Sequence, residues 1–543
     1  MMKRKASLSA LAAMLLVLAL LAGCGGGNNN AGNAPAKADN NETAGTTDSG
    51  GAAATEPDDG GLERIDLVYY AMGDPQPDEA TVVDAVNEKL LEKLNATITV
   101  RYSTWTDFQQ KYQTELTSGG SDFMYTASWL SYGTLARAGA FHELDDLLDE
   151  YVPTLRGIMG EGALNTMRVE GSIYALPNLW PEYVPSGVAY REDLRRKFNL
   201  PVPDSFENME AFFLGIKENM PEQPVLRLVT EPVSLANAFE SGAMLAVKYP
   251  WVSGETPYGL ASNYETPSDI YDYWYSKDFI EDMKLFKKWA DLGFWSRSAL
   301  SDTQEAERDT YSIGLCVALV SGQNPNKTIE YMEDFARDNP DWINEFFAYG
   351  EITGSIYPAH PTQNATAFPR STSIKNAGRA LQVVEYIMTD REMNELVMCG
   401  IEGTHYKLDD GFYYPLPEDA PTFIYEGFNT WNLRVQEYML VKPLDVRRNE
   451  IFERIDAVAA KTKFPRINIA QGFSEDFEAY QAERTAVSNV IRQYLAPIQA
   501  GFVDDVEAAI ADFLQRAENA GLQKCRDNWT EQWLAYCDEF GYK

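Results

Sequence analysis

Residues 65–125 read IDLVYYAMGDPQPDEATVVDAVNEKLLEKLNATITVRYSTWTDFQQKYQTELTSGGSDFMY, and the order of patterns within them decides the fold. Ile65–Tyr70 is a short apolar run, the mark of a buried strand. Ala71–Pro77 is rich in turn formers. From Asp78 to Leu94, Val82, Val86, Leu90 and Leu94 recur every fourth residue and give a helix one apolar face. Ala96–Tyr102 alternates, with Ile98, Val100 and Tyr102 on one side of a strand. Phe108–Leu116 predicts a second helix, stopped by Gly119 and Gly120, and Asp122–Tyr125 a third strand. Strands and helices alternating in this way build a largely parallel α/β sheet. Ligands sit beyond the carboxyl ends of strands in such sheets. The loops after Tyr70, Tyr102 and Tyr125 are therefore the places to look for a site.

Further along, Val169–Asn178 reads as a hairpin ending in an extended segment. Helical periodicity returns at Asn208–Glu218, Ile280–Asp291 and Thr328–Asp338, and Lys375–Glu395 predicts one long helix with Leu381, Val384 and Ile387 inward. Phe473–Phe540 is almost entirely helical in pattern, most strongly over Ala482–Ile498 and Val503–Ala520. Asp409-Asp410-Gly411 lies between aromatic runs. EF-hand spacing is missing, so a hairpin turn is expected there rather than a calcium loop. Glu143, Asp145, Asp146, Asp149 and Glu150 predict a solvated helix face.

The amino terminus has a different character. Lys3, Arg4 and Lys5 precede an apolar run from Leu8 to Leu21, which closes on Leu21-Ala22-Gly23-Cys24. A basic start, a short apolar core and small residues at a cut site make a secretory leader over residues 1–23. The run is shorter than the roughly 20 residues that span a bilayer. Leu-Ala-Gly-Cys resembles the lipobox of bacterial lipoproteins, which implies cleavage before Cys24, its acylation, and a membrane anchor on the outer face of the cell. An ordinary secreted protein is the alternative. Residues 25–61 are mostly Gly, Asn, Ala, Thr, Ser, Asp and Glu, with no aromatic residue and Lys37 the single base. Such a stretch buries too little apolar surface to fold and is expected to act, with Cys24, as a tether.

The chain carries a net charge of −35, and becomes three units more negative once Lys3, Arg4 and Lys5 are removed. That charge repels nucleic acid and anionic lipid. No second apolar run is long enough to cross a membrane. Cys316, Cys399, Cys525 and Cys537 show no Cys-x-x-Cys spacing, and His142, His360 and His405 lie far apart, so no metal site and no cofactor are expected. Cys525 and Cys537 could pair across a helix–turn, or all four could be buried thiols.

Several segments, in their order, resemble the extracellular solute-binding proteins of ABC importers, the family of maltose-binding protein. They are Ile65–Tyr70 followed by helix, strand and Asp122; GAFHELDDLLDEY at Gly139–Tyr151; VEGSIYALPN at Val169–Asn178; STSIKNAGRALQVVEYIMTD at Ser371–Asp390; and GIEGTHYKLDDG at Gly400–Gly411. The last of these, with the ending from Glu483 to Cys537, looks like a Paenibacillus-type lipoprotein subgroup. Ala377-Gly378 departs from the family, which often has an acidic or proline-containing turn there. The resemblance implies an α/β, two-lobe periplasmic-binding-protein-like (type II) fold with a hinge, an interlobe cleft and a helical C-terminus. Lobe 1 is expected over 62–178 and about 355–430, and lobe 2 over 179–354 and about 431–543. It implies a monomer that captures an oligosaccharide and hands it to the importer's permease, with no catalysis.

Sugars present apolar faces and many hydroxyls, so a sugar site needs aromatic platforms together with carboxylate, amide or guanidinium groups. The candidates are Tyr70, Asp74, Trp105, Ser128, Trp129, Asn178, Trp180, Trp251, Glu402, His405, Tyr406 and Trp431. Each has a plainer reading. A tryptophan packs a core as readily as it holds a ligand; Asp74 suits a helix cap; Glu402 suits a pair with Lys407; a lone histidine suits a structural hydrogen bond. An exported glycoside hydrolase is the alternative function, since paired carboxylates arise by chance among 81 acids. A receptor for a peptide or another organic solute is a second alternative. No nucleophile elbow, His-Glu-x-x-His or phosphate loop is present.

Overall fold

The computed structural model describes residues 62–542 apart from 105–106, 181–182, 184, 186, 228–257, 263–265, 303, 321–324, 417–422, 444 and 463–466. Cys24, Trp105 and Trp251 lie outside the described residues. The strands of the two main sheets, numbered in chain order, are β1 (Ile65–Met72), β2 (Ala96–Ser103), β3 (Phe123–Thr126), β4 (Ala175–Pro177), β5 (Gly187–Arg191), β6 (Ala318–Leu319), β7 (Asn344–Ala348) and β8 (Ala365–Ala367).

The first sheet has the order β2-β1-β3-β8-β4. β1 runs parallel to β2 from Ile65↔Ala96 to Met72↔Ser103, and to β3 at Tyr69↔Phe123. β1 is buried along most of its length, as a parallel strand covered on both faces must be. The covering helix Glu79–Leu94 turns Val82, Val86 and Leu90 inward. β8 then inserts antiparallel between β3 and β4. Its place is tied by Asp122, whose carboxylate accepts from the Val68 amide (2.8 Å), the Thr372 hydroxyl (2.6 Å) and the Asn376 amide (2.9 Å). One acid thus joins the third strand to the Ser-rich segment that follows β8.

The second sheet is β6-β5-β7, wholly antiparallel. Buried apolar side chains form two large cores. One draws on residues 65–176 and 365–435, the other on 188–349 and 469–537. The chain passes between them three times. Leu179 and Val435 bridge in parallel, with the Leu179 amide on the Arg434 carbonyl (2.9 Å) and the Gln436 amide on the Leu179 carbonyl (3.1 Å). The Asn178 amide reaches the Asn364 carbonyl at 3.2 Å. The three passages therefore run side by side.

Two predicted helices are interrupted. The one expected over Lys375–Glu395 is two helices, Ile374–Thr389 and Arg391–Cys399. Asp390 between them is extended, and its side chain caps the second by accepting from the Met393 amide at 3.0 Å. The run Ala482–Ile498 contains a widened π turn at Ile491–Leu495, just before Pro497, which has no N–H to give the regular ladder. Residues 473–477, read as helical, are not. The Asp410-Gly411 turn joins strands Tyr406–Asp409 and Phe412–Pro415 as expected, both residues at positive φ.

Cys316, Cys399, Cys525 and Cys537 are free and buried. Cys525 and Cys537 lie on one helix, Leu522–Glu539, which separates them by about 18 Å of rise and leaves no turn across which to pair. Burial also pushes the Cys525 thiol up to about 11. None of the four is expected to react with an aromatic disulfide reagent in the native chain at pH 8, and all four after denaturation. A rapid native reaction would contradict this burial.

Candidate functional site

Thr126 at the end of β3, Pro177 at the end of β4 and Ala365 at the start of β8 share one edge of the first sheet. The segments attached there converge. After β3 the chain makes a 3-10 turn, Ser128–Leu130, then a short helix, Tyr132–Arg137. Trp129 is 38% exposed on that turn, and its ring centroid is 5.9 Å from that of Tyr125. Trp431 meets Tyr125 edge-on at 6.2 Å. The Tyr125 hydroxyl donates to Asn364 Oδ1 at 2.5 Å. Asn178 donates to the Trp431 carbonyl at 2.9 Å and accepts from the Trp180 amide at 3.3 Å. The Arg434 guanidinium, bound to Glu426, lies 6.0 Å from the Trp180 ring and 5.9 Å from that of Trp431. Trp129, Asn178 and Trp180 thus gather at the edge where the strands end, and Trp431, which the sequence placed at no strand end, joins them there.

Ser128, Ser131 and Thr134 form one wall of a groove. The facing wall comes from the carboxyl-terminal region: Phe473, Ser474, Glu475, Phe477, Arg484, Trp529 and Trp533. The walls touch where Thr134 Oγ1 meets Ser474 Oγ at 3.0 Å and Arg137 donates to the Ser474 carbonyl at 2.9 Å. Gly133 permits this approach, since a Cβ there would stand 2.6 Å from that of Ser474. Glu475 is held by the hydroxyls of Tyr258 (2.8 Å) and Tyr480 (2.7 Å) and by Arg484 Nε (3.3 Å). Burial and the Glu475 charge push both phenols up.

Residues 469–538, which supply that wall, match a family model described as a domain of unknown function (DUF3502). Over the longer chain, a carbohydrate ABC transporter substrate-binding protein of Streptococcus pneumoniae is 20% identical across 83% of this chain and 87% of its own. The lipoprotein LipO of Bacillus subtilis is 21% identical across 77% and 83%. Among solved structures, the N-glycan transport solute-binding protein NgtS of S. pneumoniae superposes with a TM-score of 0.68 at 16% identity, covering 88% of this chain and 99% of that one. This chain has the two-lobe solute-binding fold. The groove lies where the two cores of that fold face each other.

Tyr70, Asp74, Glu402, His405 and Tyr406 do not line the groove. Tyr70 is buried, stacked on Phe108 at 6.0 Å with its hydroxyl on Ser103, and burial pushes its phenol up. Asp74 is exposed and lies short of the helix it was expected to cap. Asp78 precedes that helix instead, accepting from Thr81 (2.6 Å) and from His405 Nε2 (3.0 Å). His405 is fully buried, and its Nδ1 accepts from the Ile401 amide at 2.9 Å. Tyr406 stacks on Tyr413 at 5.2 Å, and Glu402 is exposed beside it. The His405–Asp78 contact pins the segment after β1 to the start of the Tyr406–Pro415 hairpin, away from the groove wall of Ser128, Ser131 and Thr134.

The far wall escaped sequence reasoning. Trp529 and Trp533, four apart on one helix, share a face, and that spacing was the available signal. Glu475 and Arg484 gave none, because they meet only through the fold.

The hinge carries a buried titratable group. His360 lies in the second passage, its Nδ1 2.8 Å from Thr362 Oγ1. It packs so closely on Gly472 that a Cβ there would stand 2.5 Å from its Nε2. Burial lowers its pKa to about 3. The unfolded chain takes up this proton near pH 6.5 and the folded chain only near 3, so stability falls as pH drops through that window, by at most about 1.4 kcal/mol per pH unit. His142, also lowered by burial, acts in the same direction. His360→Gln is expected to flatten the decline of Tm between pH 6.5 and 4. Parallel declines in variant and parent would rule the role out.

Proposed function

We propose that this chain is the receptor of an ABC importer and captures an extracellular oligosaccharide in the groove between its lobes. The observation that carries the proposal is the makeup of the groove. Aromatic rings (Phe473, Phe477, Trp529, Trp533), the Glu475 carboxylate and the Arg484 guanidinium on one wall face the hydroxyls of Ser128, Ser131 and Thr134 on the other, with Trp129 exposed on the turn that begins at Ser128, the mixture that sugar faces and sugar hydroxyls require. The names of the relatives support it. So do ligands in structures of the same fold: NgtS with Man1GlcNAc and FusA of S. pneumoniae with kestose.

Trp129 offers the exposed face for a ring. Asn178 and Asn364 fix the aromatic group behind it. Lobe 1 comprises 62–178 and about 355–430, and lobe 2 comprises 179–354 and about 431–543, with the passages at their joints acting as hinges. Rotation there closes the walls on the ligand and shapes the surface offered to the permease. Closure needs no chemistry, so the ligand leaves as it arrived and the chain acts as a monomer without catalysis. Cys24 carries the lipid and residues 25–61 the tether, which places the receptor on the outer face of the cell membrane.

Thermal unfolding across a panel of oligosaccharides, peptides and polar solutes tests this reading. A ligand that binds only the folded state raises Tm by mass action. Stabilisation by one glycan series, recovered intact, is expected. Cleaved glycan would favour a hydrolase, and stabilisation by peptides alone would discard the sugar.

A further inference from the structure

Arg484 is the cation of the groove. Two contacts describe it. Its Nε donates to Glu475 Oε2 at 3.3 Å. Its guanidinium carbon lies 4.2 Å from the centroid of the Phe477 ring. Among the described residues, its two Nη groups have no protein acceptor. The side chain retains about a third of its exposure (34%), and the hydroxyl-bearing wall of Ser128, Ser131 and Thr134 stands across the groove. Arg484 is therefore held flat from one face and anchored at one edge, with no partner on the Nη edge among the described residues.

A free guanidinium edge in a partly closed groove matches a planar carboxylate, which takes two parallel N–H donors. A neutral hydroxyl uses only one of them. Glu475 does not cancel the site. Its Oε1 is occupied by two tyrosine hydroxyls, and it meets Arg484 only through Nε. The chain's large negative charge opposes an acidic ligand at long range. At physiological salt that field fades within about 8 Å, so the group in contact decides.

We propose that the groove selects an oligosaccharide carrying a carboxylate, a uronate-type sugar, and that Arg484 binds the carboxylate through its Nη groups. This rests on the oligosaccharide-receptor reading and names the sugar class within it. A charge-assisted bidentate pair favours the acidic over the matched neutral sugar by roughly tenfold or more.

The test uses the full chain and oligosaccharide pairs that differ only in oxidation of one C6 hydroxymethyl to carboxylate. A mixed array finds the best pair, and calorimetry measures both members. The acidic member is expected to bind about tenfold tighter. Arg484→Gln should bring that ratio to near one, and Arg484→Lys should keep part of it. Glu475→Gln should widen it, because the guanidinium then faces no compensating charge. Unfolding curves identify any variant that fails to fold, and the remaining variants then decide. Equal affinity for both members in the parent chain, or an unchanged ratio in Arg484→Gln, overturns the proposal while leaving a sugar receptor. No binding by any glycan overturns the receptor reading together with the proposal.

Discussion

Trp533→Ala is expected to lower stability by about 3–5 kcal/mol, at the upper end of what truncating one side chain costs. Trp533 is fully buried. Its ring stacks on Trp529 at 5.6 Å with the planes 6° apart, and meets Phe473 edge-on at 5.2 Å. Its indole N–H donates to the Pro267 carbonyl at 2.8 Å. Alanine leaves a cavity where three rings met and removes a donor from that carbonyl, and each loss adds to the cost. In a body of about 480 residues that cost lowers Tm by about 3–5 °C. Trp533→Phe keeps ring contact and loses the hydrogen bond, so its loss should be less than half as large. Denaturant unfolding measures both. Equal stability of Trp533→Ala and the parent would show that the second core does not depend on this wall.

Trp129→Ala should behave in the opposite way, with Tm nearly unchanged and glycan affinity lowered about thirtyfold or more. The ring is more than a third exposed and touches the fold through Tyr125, so little packing is lost. A sugar face laid on it would lose its platform, and buried aromatic anchors of this kind carry about 2 kcal/mol or more of binding. Calorimetry with the glycan that most raises Tm reads the affinity, and unfolding of the free variant reads the stability. Unchanged affinity would move the sugar away from the turn after β3. A large fall in Tm would make Trp129 a core residue.

The contrast between these two tryptophans shows what the sequence made legible. The order of patterns in residues 65–125 predicts the parallel β2-β1-β3 half of the first sheet, because each strand and helix there is local and strongly periodic. Strand-end position picked out Ser128, Trp129, Asn178 and Trp180, because a parallel sheet directs all such ends to one edge. Position at a strand end or in a loop could not separate Tyr70, whose hydroxyl turns inward to Ser103, or His405, whose ring is spent between Ile401 and Asp78. Those outcomes depend on contacts between distant segments. Glu475 and Arg484 were hidden for a more local reason: they become a pair only when a loop folds over the first turn of the following helix. The break at Asp390 is different. Helical periodicity runs through it, and an aspartate that caps the next helix reads locally like one that continues the last.

A crystal structure of the chain with the glycan that most stabilises it tests the central claim most directly. The account predicts one intact oligosaccharide between the Ser128–Thr134 and Phe473–Arg484 walls, with a sugar ring on Trp129. A glycan seated elsewhere on the surface, or a cleaved one in the groove, would contradict it.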